Sequence, residues 1–305
     1  MRIRLLGTAA GGGVPQWNCN CLICRETRSG TGRVQRRTQS SVAISADDQH
    51  WFLLNASPDI CAQIEAFKPL QPSLLAIRGS PIQSVLLTNA DLDHTLGLFL
   101  LREGEELLVH ATQSVRDSLT EGISLASTMA SFCGIQWIHP PAELSPLLNR
   151  DGSESGILYQ TVSLDGRHPR FSRGTAQGKD PVVGYRFIDQ NSQGRLLFLP
   201  DVAVIDRKLK ALLTECEILL FDGTFWSEDE MKQRGAGTLA ASEMGHVPIS
   251  GAGGSLEVLG QLHVKHRIFL HINNTNPILL ADAAERATVV ATGCIVGNDG
   301  MEFHI

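Results

Sequence analysis

The sequence predicts an α+β fold whose chemistry sits at strand tips, and three observations predict it. Apolar runs of strand length repeatedly end in an acidic residue or a histidine. Val85–Leu87 leads to Asn89, Asp91, Asp93 and His94, Leu196–Leu199 to Asp201, Ile218–Phe221 to Asp222, and Ile268–Leu270 to His271. A helical stretch at 205–213 separates the second run from the third, making a strand–helix–strand unit. The amino-terminal part adds alternating strands at 1–7, 38–46 and 50–55, the last two joined by the turn Asp47-Asp48-Gln49.

At 305 residues the chain can bury a substantial core, and it is read as a single domain over 1–305 with a Cys-rich zinc-binding loop at about 15–30. Its 43% hydrophobic and 19% charged residues place it with ordinary globular proteins. A net charge of −6 argues against nucleic-acid or anionic-membrane binding as the main activity. No apolar run reaches the roughly 18–20 residues that span a bilayer. MRIRLLGTAAGGG reads as a strand and turn rather than a signal peptide, so the expected location is cytoplasmic. Seven cysteines, an odd number without a secretory signal, argue against a disulfide framework.

Along the chain, Gly11-Gly12-Gly13 is a loop that lets backbone approach another group closely. Cys19-x-Cys21-x-x-Cys24 gathers three thiols in one turn, a soft donor set that suits a closed structural Zn²⁺ site with its fourth ligand from elsewhere. The basic run 33–37 is a solvated face. In NASPD, Asp59 opens a helix. Helices follow at 96–101 and 113–120 around a strand at 107–110. Residues 144–166 read as turn-rich with short strands. The Gly- and Arg-rich stretch 166–180 reads as a lid or substrate loop, and its Arg170 and Arg173 are candidates to pair with substrate carboxylates. Met244-Gly-His246-Val-Pro presents one imidazole on a loop. A helix at 281–291 and a closing strand at 294–305 complete the chain.

The stretch Val85–Leu98 carries the chemistry. Two carboxylates and an imidazole within six residues at a strand end are costly to bury together unless a cation lies between them. Helix capping requires one such residue rather than four. No G-x-S-x-G nucleophile elbow is present. Asp91, Asp93, His94, Asp201, Asp222, His246 and His271 together are the ingredients of a metal crevice.

TNADLDHTLGL resembles the H-x-H-x-D-H signature of the metallo-β-lactamase superfamily, with Asn89 and Asp91 in the first two ligand positions and Asp93 and His94 in the last two. GTAAGGGVPQWNCNCLIC, RTQSSVAISAD, FLLNASPD, FDGTFW, MGHVP and HINNTNPIL extend the resemblance over essentially the whole chain to the PqqB family, the pyrroloquinoline quinone (PQQ) biosynthesis B proteins. The resemblance implies an αββα sandwich of two mixed β-sheets flanked by helices. It implies that Asn89 and Asp91 weaken one metal site, and that Asp93, His94 and His271 preserve the other. Asp222 is the preferred fourth ligand there and Asp201 the alternative. Asn274 is the candidate fourth ligand of the zinc loop. The implied activity is iron- and O₂-dependent hydroxylation of the tyrosine ring of a Glu–Tyr precursor cut from a small peptide, with Asp91 or His246 orienting the phenol or moving its proton. Fe(II) is the implied active-site cofactor, zinc or an empty site being the alternatives in a purified sample, beside the structural zinc. Other PQQ-pathway proteins are implied partners, and a homodimer is one expected assembly. The rival readings are a phosphodiesterase-like metal hydrolase and a non-catalytic carrier in transport of PQQ or its precursor.

Overall fold

The computed structural model describes residues 1–172, 174 and 178–305. The chain divides into two compact units. One comprises Met1–Leu6, Ser41–Gly194 and Gly300–Ile305, and the other Gly7–Ser40 and Arg195–Asp299. Each is assembled from separated stretches of chain.

The first unit carries a seven-stranded mixed sheet, in the order 302–304, 2–7, 41–45, 51–54, 82–86, 107–110, 135–138. Ser41–Ser45 and Trp51–Leu54 form the antiparallel hairpin read from the sequence. Its turn is closed by Asp47, whose Oδ1 accepts the N–H groups of Gln49 and His50 at 2.9 and 2.8 Å. From Trp51 onward the pairings are parallel, through Ile82–Leu86 and Leu107–His110 to Ile135–Ile138. Parallel pairing sends the carboxyl ends of these strands the same way, so Asn55, Thr88 and Ala111 follow strand ends on one rim. Trp51, Leu53, Val85 and Leu98 are fully buried beneath that rim, with Phe67 edge-on to Trp51 at 5.2 Å. Four apolar side chains on this scale contribute roughly 1.5–3 kcal/mol each in burial.

The same unit corrects one sequence reading. Residues 144–166 are not a run of short strands, for Glu154–Leu164 is one eleven-residue strand. It pairs antiparallel with Val182–Asp189, residue for residue from Ile157 to Leu164, and with Ser145–Leu148 on its other side. Two-sided pairing holds straight a segment whose Ser, Thr and Gly content reads locally as turn.

The second unit carries parallel strands in the order Arg195–Leu199, Ile218–Asp222, His266–Leu270, Ile295–Val296. Their continuous apolar runs are what parallel strands buried on both faces require. Phe221 and Phe269 stand opposite each other and meet edge-on at 6.5 Å. Helix Arg207–Leu212 joins the first two strands and is capped by Asp206, whose side chain accepts the Leu209 N–H at 2.7 Å. The parallel register releases Asp201, Asp222 and His271 from the same edge. The single closing strand expected at 294–305 is instead two. Ile295–Val296 belongs to this unit, and Glu302–His304 pairs with Arg2–Arg4 in the other. The break falls where Asp299 turns inward to accept hydrogen bonds from the Thr38 N–H and the Thr8 hydroxyl, both at 2.7 Å.

Candidate metal centres

In the first unit, strand Ile82–Leu86 runs into a polar turn. Asn89 is buried, and its Oδ1 accepts the Asp91 N–H at 2.9 Å, a side-chain turn that reverses the backbone. Asp91 occupies the N-cap position of the short helix Leu92–Thr95 and is exposed, and Thr95 donates its hydroxyl back to the Asp91 carbonyl at 2.9 Å. Asp93 and His94 follow in that helix, with His94 Nε2 3.8 Å from Asp93 Oδ2 and the imidazole 1% exposed. Gly97 lets the helix lie on the chain at 56–57, since a Cβ there would stand 2.4 Å from the Ser57 carbonyl oxygen. Ala56 and Gly97 then exchange hydrogen bonds across this contact with His94 O and Ala56 O, at 2.8 and 2.9 Å. The contact carries the His94 ring to Asn55, whose Nδ2 is 2.5 Å from His94 Nδ1. Asn55 adopts φ +62°, a left-handed conformation that asparagine tolerates better than most side chains.

In the second unit a denser group forms. Asp222 is fully buried and its two oxygens accept four hydrogen bonds. Oδ1 takes the Thr224 N–H at 2.9 Å and the Thr224 hydroxyl at 2.6 Å. Oδ2 takes the Val202 N–H at 2.9 Å and His246 Nδ1 at 2.7 Å. Burial pulls the His246 pKa down, but the Asp222 carboxylate beside it outweighs burial and leaves it raised. The Thr224 hydroxyl also lies 2.8 Å from His271 Nδ1. His271 follows the end of strand His266–Leu270 with φ +56°, an uncommon backbone state held by the surrounding packing. Its ring lies 5.5 Å from that of His246, and Asp201 Oδ1 is 3.7 Å from its Nδ1. Asp201 and His271 are buried, His246 is largely so, and the three offer ligand atoms within 4.8 Å of one another, two imidazoles and a carboxylate that fit a divalent cation. Asp222, the preferred fourth ligand from the sequence, has its lone pairs engaged by N–H and O–H donors and orients His246. Asp201 is the carboxylate grouped with the imidazoles.

The Cys-rich loop also lies in this unit. Cys19, Cys21 and Cys24 bring their sulfurs within 4.8 Å of one another, with Cys21 capping helix Leu22–Ser29 and Cys24 inside it. Burial, reinforced by the neighbouring thiols, pushes Cys21 up to about 12, while the Cys21 N–H helps pull Cys19 down against its own burial. Such crowding disfavours several thiolates together unless a cation joins them, so the donor set fits Zn²⁺. Asn274, the candidate fourth ligand, does reach the cluster. Its Nδ2 is 3.3 Å from Cys24 Sγ, and Cys21 Sγ is 3.4 Å from its backbone carbonyl.

Of the substrate-loop candidates, Arg170 is exposed in the 3₁₀ turn Arg170–Ser172, and Arg173 lies outside the described residues. His168 Nδ1 is 3.3 Å from the Ser114 hydroxyl. Three residues that the geometry brings to the sites were given no role from the sequence: Asn55, Thr88 and Thr224. Asn55 sits at a strand end in NASPD, Thr88 opens TNADLDHTLGL and Thr224 lies in FDGTFW, signals of position but not of partner.

A beta-lactamase superfamily domain matches residues 50–272. The coenzyme PQQ synthesis protein B of Pseudomonas putida (strain GB-1) is 41% identical over the full length of both chains. That of Azotobacter vinelandii is 42% identical, again over the full length of both. The crystal structure of Zn(2+)-bound PqqB from Methylobacterium extorquens matches all of both chains at 38% identity and a TM-score of 0.89. A diphosphatase from the PhnP family, 19% identical over 99% of this chain and 97% of its own with a TM-score of 0.67, shares the fold. Two mixed sheets flanked by helices are thus the metallo-β-lactamase fold, and the chain belongs to the coenzyme PQQ synthesis protein B family within the beta-lactamase superfamily.

Proposed function

We propose that the protein hydroxylates the tyrosine ring of a Glu–Tyr-derived precursor in PQQ biosynthesis, using Fe(II) and O₂. The observation that carries this reading is the ligand chemistry. Among the described residues, histidines and carboxylates cluster at strand ends, and two His with a carboxylate is the donor set of non-haem iron oxygenases. The proposed metal ligands are Asp93, His94 and His271, with Asp201 as the further carboxylate and Asp222 behind His246. The family's name supports the pathway, and a zinc-bound relative supports a metal-binding chain. Iron, when bound, supplies O₂ activation. A ring C–H becomes C–OH with one oxygen atom of O₂, and the other leaves as water, which takes two electrons from an added reductant and two protons.

The chain's own groups do the rest. With the metal on Asp93, His94 and His271, His246 stays outside the ligand set and, held through Nδ1 by Asp222, offers Nε2 to the phenolic proton. Asp91, exposed at the helix start, is the second candidate to orient the phenol. Arg170 is the proposed partner of a substrate carboxylate. The structural zinc at Cys19, Cys21 and Cys24 has no part in turnover and pins its loop.

The test is O₂ uptake by anaerobically Fe(II)-loaded protein given Glu–Tyr and ascorbate, with the product analysed by mass spectrometry. The proposal expects uptake and a product heavier by one oxygen. Turnover of a phosphodiester with Zn²⁺ or Mn²⁺ and no need for O₂ would replace it with the hydrolase reading.

A further inference from the structure

We infer that Asn55 locks His94 in the tautomer with its proton on Nε2, and so holds the affinity for metal at His94 down. The argument starts from a group that can only donate. The backbone N–H of Thr88 reaches the Asn55 side chain at 2.9 Å, so the atom it meets is the amide oxygen, Oδ1. The amide cannot be turned over without setting an N–H against an N–H₂. Nδ2 is therefore the atom that faces His94 Nδ1 at 2.5 Å, and it can offer only hydrogens. Nδ2 is also 2.9 Å from the Thr88 hydroxyl oxygen, which accepts its second hydrogen.

The backbone on either side is fixed. Asn55 N–H donates to Leu86 O at 2.9 Å, and the Ser41 hydroxyl donates to Asn55 O at 2.8 Å. His94 Nδ1 is thus an acceptor, and a neutral imidazole with a bare Nδ1 carries its proton on Nε2. Nε2 is the nitrogen turned to Asp93, 3.8 Å from its carboxylate. A protonated Nε2 has no lone pair for a metal. His271 is set the opposite way. The Thr224 hydroxyl gives its one proton to an acceptor oxygen and takes the His271 Nδ1–H, which leaves Nε2 bare. Asn55 therefore makes His94 the weaker of the two imidazoles as a ligand, and metal capture there requires the amide or the ring to turn.

The consequence for affinity rests on the proposed role of His94 as a ligand, whereas the tautomer does not. Asn55→Asp is nearly isosteric and reverses the pairing. One carboxylate oxygen keeps the Thr88 N–H, and the other accepts from His94 Nδ1–H, freeing Nε2. The experiment is a ¹⁵N–¹H correlation spectrum of the imidazoles in metal-free protein, beside Zn²⁺ competition titrations against a chromophoric chelator. Wild type is expected to show His94 as the Nε2–H form. Asn55→Asp is expected to show the Nδ1–H form and to bind Zn²⁺ about 10–100-fold more tightly at the weaker class of sites.

A wild-type His94 protonated on Nδ1 would overturn the inference, and that spectrum decides even if the variant does not fold. A switched tautomer with unchanged affinity would overturn the link to the metal and remove His94 from the ligand set. Failure of hydroxylation would leave both readouts unaltered, so the two proposals fail separately.

Discussion

Thr224 has one hydroxyl proton and several neighbours within reach of it. Asp222 Oδ1 at 2.6 Å is the shortest and accepts only, so the proton goes there and the oxygen is left to receive His271 Nδ1–H at 2.8 Å. Thr224→Val removes both interactions while keeping the shape. It is predicted to weaken Zn²⁺ binding about 10–100-fold by releasing the His271 tautomer. It should also cost about 1–3 kcal/mol in urea unfolding, by stripping a donor from a fully buried carboxylate. Thr224→Ser should retain both properties, and equal losses in Ser and Val would show that the hydroxyl is not the cause. At this scale the sequence was partly legible. Asp93, His94, His246 and His271 stand out because their side chains do metal and proton chemistry wherever they gather. Asn55 and Thr224 do not, because an amide or hydroxyl at a strand end caps, turns or orients, and only the partner tells which.

Among elements, parallel strands were the most legible, because burial on both faces leaves a continuous apolar run. The long strand Glu154–Leu164 was not, since its partners lie elsewhere in the chain and its own composition is turn-like. That strand also carries a pH dependence. Tyr159 O lies 2.9 Å from Nδ1 of His110, at the end of strand Leu107–His110, and burial lowers the histidine from its usual 6.5 to about 4. The unfolded chain then takes up a proton that the fold refuses. Stability is full above about pH 6.5, falls as pH drops towards about 4, and levels off below, for a loss of about 3 kcal/mol at most. Urea midpoints at pH 7.5 and 5 should differ accordingly in wild type, and His110→Gln should flatten the difference.

The proposed zinc loop makes a different prediction at the same scale. Arg28 donates to the carbonyls of Cys19 and Gln16, and Arg25 to that of Asn20, so helix and loop hold one another once the sulfurs are joined. Stripping zinc with a chelator, or Cys24→Ser, should expose Arg25 and Arg28 to trypsin before the rest of the chain is cut. A cleavage pattern unchanged by chelation would show that the metal does not pin the loop.

For the whole molecule, the net charge is −6, and no helix among the described residues is long and apolar enough to cross a membrane. The fold class was legible because the resemblance runs through motifs from the first strand to the last helix, and the family match bears it out. Ligand rank was less so, since spacing shows which residues reach a crevice but not which lone pairs remain there. Asp222 illustrates this, with four donors on two oxygens. The most direct test of the central claim is isotopic. Fe(II)-loaded protein is given Glu–Tyr and ascorbate under ¹⁸O₂ in ordinary water, beside Asp93→Ala. An oxygenase places one ¹⁸O on the ring, and the variant places little or none. Unlabelled product from water, or equal labelling by wild type and Asp93→Ala, would contradict it.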